Sequence, residues 1–133
     1  MTEREKEIIE IWKESIKKTI QIHEKAEDNG MNYLKYIYDN DIECPLCTTS
    51  NKLMRTNSKY VSSVKVSYKQ SECSICPWCV FKRNVCFSFI DPKTKSYYYD
   101  NNSSSIKRLK KWLKVLNEDP MFYFNKIRGI RER

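Results

Sequence analysis

The chain contains one histidine, no apolar run near the roughly 18 residues of a membrane span, and no internal repeat. Each absence excludes something. A single histidine gives no basis for a helical zinc-protease site or a histidine-based nuclease. A nucleobase deaminase needs His-x-Glu together with Pro-Cys-x-x-Cys. Here His23 is followed by Glu24 and Lys25, and neither cysteine pair has proline immediately before it. His23 itself reads as a surface or partly buried helix residue. The start, Met1 to Glu7, carries no apolar core of a secretory signal, which predicts a cytoplasmic protein. No strand–helix alternation supports a thioredoxin-type reading of Cys76-Pro77-Trp78-Cys79.

Charge is plentiful and uneven. The 133 residues hold 25 Lys plus Arg against 17 Asp plus Glu, a net of +8. Residues 1–43 are net −4, while 44–90 and 91–133 are each net +6. An acidic front joined to a basic body favours an anionic partner for the latter. With 40% apolar residues the chain can still bury a core.

Periodicity predicts where the helices fall. Thr2 with Glu5 forms a capping-box pattern, and Ile9, Trp12, Ile16 and Ile20 share one face of a helix running to about Asp28, which Asn29-Gly30 ends. A short helix from Tyr33 to Tyr38, capped by Asn32, follows. Thr48 to Lys59 reads as a loop. Alternation over 60–69, and the segments 85–90 and 96–100, read as strands. Ile106, Leu109, Trp112, Leu113 and Leu116 trace an amphipathic helix behind an Asn101–Ser105 linker that ends in its cap. Asp119-Pro120 starts a last helix that Gly129 can close. The expected fold is therefore α+β: a small zinc-stapled antiparallel sheet, ribbon-like, flanked by helices. It forms a single domain with a helical acidic front (1–41), a zinc-binding strand region (42–100) and a basic helical tail (101–133).

The cysteines carry the strongest chemical signal. Cys44-Pro45-Leu46-Cys47 and Cys73-Ser74-Ile75-Cys76-Pro77-Trp78-Cys79, with Cys86 beyond, offer two-residue spacers that aim paired sulfurs at one tetrahedral ion. In a reducing compartment such pairs favour metal over disulfides. Cys44, Cys47, Cys73 and Cys76 are the preferred zinc ligands. Cys79 can replace Cys73, and Cys86 can supply the fourth sulfur. A closed thiolate shell leaves no position for water, so the zinc is structural and no enzyme activity is expected.

On that cysteine skeleton, over residues 32–116, the chain resembles a group of small cysteine-rich bacteriophage accessory proteins. Cys79 and the long insertion Lys52–Lys69 depart from their pattern. The resemblance implies a phage or prophage origin and a non-enzymatic role, including inhibition of host defence such as CRISPR nucleases. The partner would then be a host protein or nucleoprotein complex in the host cytoplasm, with no membrane involved.

A second surface supports a different reading. Lys107, Arg108, Lys110, Lys111 and Lys114 decorate the polar side of the Trp112 helix, and Lys126, Arg128, Arg131 and Arg133 extend the charge. Such a face can bind DNA or RNA phosphates directly, or it can simply be solvated. Tyr97-Tyr98-Tyr99 can stack on bases, or alternate across a strand.

Overall fold

Residues 1–56, 75–81 and 101–131 are described by the computed structural model, and helices make up most of them. They are α1 (Glu3–Asp28), α2 (Tyr33–Asp39), α3 (Pro45–Thr56), α4 (Pro77–Phe81), α5 (Asn102–Glu118) and α6 (Met121–Arg131). No strand occurs among the described residues, so the architecture is all-α and the expected α+β fold with an antiparallel sheet is overturned. The three expected strands lie outside the described residues.

Local chemistry explains the helix boundaries. Thr2 Oγ1 accepts from the Glu5 amide at 3.1 Å, and Glu5 Oε1 accepts from the Thr2 amide at 2.9 Å. At the far end Gly30 adopts φ +66, Gly30 N donates to Glu27 O at 3.0 Å, and Met31 N donates to Ala26 O at 2.9 Å. This Schellman ending needs a left-handed residue, which glycine supplies without steric cost. The same pair of bonds closes α2, with Asp41 in the left-handed position at φ 53.

Of the expected loop Thr48–Lys59, residues 48–56 instead belong to α3, and 57–59 lie outside the described residues. Pro45 occupies its first position, where a missing amide costs nothing. Leu46, Ser50 and Leu53 then fall on one buried face. Thr48 and Lys52 are its solvated side, and their polarity disguised the helix.

One hydrophobic cluster draws on all six helices. α1 is its spine, packing against α5, α3 and α2, while α4 is seated on α6 and α5. Ile8, Trp12 and Ile16 are 0% exposed, and burying each such side chain contributes about 1.5–3 kcal/mol. Trp78 of α4 meets Trp112 of α5 edge-on at 4.9 Å. Tyr123 of α6 donates its hydroxyl proton to the Ile75 carbonyl. Asn102, 4% exposed, ties the start of α5 to the α1–α2 corner. Its amide donates to Glu27 Oε2 at 2.9 Å and to Met31 O at 2.7 Å, and its oxygen accepts from Tyr33 N at 3.0 Å.

Candidate nucleic-acid interface and cysteine pairs

Asn101, not Ser105, caps α5: its side-chain oxygen accepts from Ser104 N at 2.8 Å. The helix therefore begins earlier than expected, and Ser105 is buried within it. This register puts Asn102, Ser105, Leu109, Trp112 and Leu116 against the core. With 3.6 residues per turn, Lys107, Lys110, Lys111 and Lys114 fall on the opposite side. All four are exposed, and Arg108 is half-buried on the flank.

Ion pairing separates this face from α1. On α1, Arg4 meets Glu7 at 3.0 Å, Lys6 meets Glu3 at 3.2 Å, Lys13 meets Glu10 at 2.6 Å and Lys17 meets Glu14 at 3.4 Å. No ion pair engages the four α5 lysines among the described residues. Cations three and four residues apart repel by roughly 0.2–0.5 kcal/mol per pair, which a polyanion would relieve. In α6, Lys126 places Nζ 5.3 Å from the Phe122 ring centre. Arg128 and Arg131 follow on the same helix, and Arg133 lies outside the described residues. Gly129 sits inside α6 and does not end it.

Of the expected metal ligands, Cys44 and Cys47 come together. Cys44 immediately precedes α3, and its carbonyl accepts from Thr48 N at 3.0 Å. The Cys47 thiol hydrogen-bonds to Cys44 and holds it below the usual thiol range. Burial opposes this, while the Tyr33 hydroxyl and the backbone at Cys47 and Leu46 reinforce it. Donors gathered at a helix N-terminus favour a thiolate in this way. Both cysteines are half-buried.

Cys76 is buried in the core and immediately precedes α4, its carbonyl accepting from Val80 N at 2.8 Å. Cys73 and Cys86 lie outside the described residues, as does the Cys79 side chain. Among the described residues no group of three or more His, Cys, Asp or Glu gathers to hold an ion. With neither a sheet nor such a group, the zinc-ribbon reading fails. Cys44-Pro45-Leu46-Cys47 and Cys76-Pro77-Trp78-Cys79 each open a helix in the same register, with proline at the first position and Leu46 or Trp78 buried at the second. In each case proline follows the leading cysteine, and Cys76 directly precedes the helix that contains Cys79.

Two other features were not anticipated. His23 is 0% exposed, with Nδ1 2.8 Å from Thr19 O and its ring stacked 3.8 Å from Tyr33 at 6°. Phe122, on α6, is 40% exposed. A groove of about 500 Å³ between α1 and α3 is lined by Arg4, Glu10, Glu14, Lys18 and Lys52 around Ile11, and this mixture of signs selects no ligand class. Tyr97, Tyr98 and Tyr99 lie outside the described residues. No helix among the described residues is long and apolar enough to cross a membrane.

No family model, curated protein or solved structure matches the sequence. A phage origin and the inhibition of a CRISPR nuclease thus have no support beyond the cysteine spacing, and neither is carried forward.

Proposed function

We propose that this chain works by binding rather than by catalysis, and that its ligand is the phosphate backbone of a nucleic acid held by the outer face of α5. The observation that carries this reading is the row of exposed lysines, Lys107, Lys110, Lys111 and Lys114, without carboxylate partners among the described residues. They follow one line along a helix anchored from behind by Leu109, Trp112 and Leu116. A rigid row of cations displaces condensed counterions from a polyanion, so its affinity falls steeply with salt. Zinc belongs to the proposal as a structural ion, with Cys44 and Cys47 as two of its ligands. Their mutual hydrogen bond and the lowered pKa of Cys44 suit a thiophilic cation.

The test measures binding of fluorescein-labelled DNA and RNA by anisotropy, from about 50 to 300 mM salt. The expected result is a linear fall of log affinity with log salt. The triple variant K107E/K110E/K111E should lower that slope by about three, roughly one for each phosphate contact removed. No binding at the lowest salt, or an unchanged slope in the variant, overturns the reading.

A further inference from the structure

We infer that Cys44 and Cys47 are a modification site, which a hydroperoxide converts reversibly into a disulfide across the start of α3, independently of the nucleic-acid reading above.

The chain brings the two sulfurs together without any long-range contact. Cys44 immediately precedes α3, and its carbonyl accepts from Thr48 N at 3.0 Å and from Thr48 Oγ1 at 3.2 Å. Pro45 fixes the backbone at the first helical position. Residues three apart on a helix have Cα atoms about 5 Å apart, within the roughly 4.4–6.8 Å that a disulfide spans. The Cys47 thiol is already in hydrogen-bond contact with the Cys44 sulfur, so closing the bond asks for little more than side-chain rotation. Both thiols are free and half-buried, open enough for a small oxidant, whereas Cys76 is 4% exposed.

The two sulfurs are not equivalent. That of Cys44 accepts from the Cys47 thiol, from the Tyr33 hydroxyl and from the amides of Leu46 and Cys47. Cys44 therefore supplies the electron pair that attacks, and Cys47 is the resolving thiol beside it.

The Cys44 sulfur gives up its proton to solvent and attacks one oxygen of hydrogen peroxide. The O–O bond breaks, the departing oxygen takes up a proton and leaves as water, and Cys44 becomes a sulfenic acid. The Cys47 sulfur then attacks that of Cys44. The S–O bond breaks, the hydroxyl leaves with the Cys47 proton as a second water, and the S–S bond forms. Two thiols have lost two electrons, and the peroxide has been reduced to two waters. A small dithiol reverses the change by exchange and is itself oxidised, so in a reducing medium the bond is transient. A zinc ion on these cysteines would lose two ligands as the disulfide forms.

Trypsin cleaves after Lys35 and Lys52 and leaves both cysteines on the peptide 36–52. The full chain, as purified, is exposed to a small excess of hydrogen peroxide, blocked with N-ethylmaleimide, digested and weighed by mass spectrometry. Peptide 36–52 should be lighter by two hydrogens and free of maleimide, and dithiothreitol before blocking should restore two maleimide groups. In Cys47→Ser, dimedone should label Cys44, while in Cys44→Ser it should leave Cys47 unlabelled, with helicity of both variants checked by circular dichroism. The reverse labelling overturns the assignment of the attacking sulfur. A peptide 36–52 that still carries two maleimides after peroxide, or that is bridged to another cysteine, overturns the inference, and this map of the parent chain needs neither variant to fold. A chromophoric chelator reads zinc in the same samples. Zinc released in step with the disulfide supports both readings, while a disulfide formed with no zinc released overturns the ion at these cysteines and leaves the modification site standing.

Discussion

Acidification below pH 6.5 should destabilise this protein through His23. The ring is 0% exposed, lies flat on Tyr33 at 3.8 Å, and has Nδ1 2.8 Å from Thr19 O. Burial lowers its pKa from 6.5 to about 4, with the Thr19 bond opposing in part. The direction of the effect follows from proton uptake. Between those two values the unfolded chain binds a proton and the native chain does not. Stability from this group is therefore complete above pH 6.5, declines as pH falls toward 4, and does not decline further below that. The gap is worth about 3 kcal/mol in full, and about 2 kcal/mol should be gone by about pH 5.

Urea midpoints for the parent chain and His23→Phe at about pH 7.5 and pH 5 isolate this contribution, because the carboxylates are common to both. The parent should lose about 2 kcal/mol more than the variant across that interval. Equal losses in the two proteins would refute the claim that His23 is held neutral by burial.

Two further outcomes are expected. Asn102→Ala removes the acceptor for Tyr33 N and the donor to Met31 O, and should cost roughly 2–3 kcal/mol in urea denaturation. A loss under about 0.5 kcal/mol would show that this corner is not held by the carboxamide. Elemental analysis of untagged protein should find about one zinc per chain, removed by chelators with a fall in melting temperature. Cys44→Ser should reduce the zinc content, and a metal-free preparation of unchanged melting temperature would refute zinc as a structural ion.

The elements that could be read from the sequence are those whose signals are local. The capping box at Thr2, the Asn29-Gly30 ending and the Asn32 cap are complete within a few residues, and α1, α2 and α5 appear where periodicity places them. α3 was missed because its buried stripe is only Leu46, Ser50 and Leu53, and the serine broke the apolar pattern. Ser105 has the look of a cap for α5, but an asparagine performs the same role and Asn101 holds it. The lysine row could be read as a charged face, but its lack of carboxylate partners depends on which helices lie nearby. His23 looked like an ordinary helix residue. Only the stacking of α2 against α1 buries it, and that depends on the corner tied by Asn102.

The union of α1 with α5 has a consequence for synthesis. These helices form the most extensive interhelical packing in the described structure, yet more than seventy residues separate them along the chain. A ribosome releases the first long before the second, so the Trp12–Ile16 stripe must wait uncovered while the intervening polypeptide emerges. During that wait the nascent protein carries a greasy handle, which a trigger-type chaperone could hold or a neighbouring nascent chain could seize. Production at high ribosome density should therefore favour inclusion bodies more than the modest size of the finished molecule suggests.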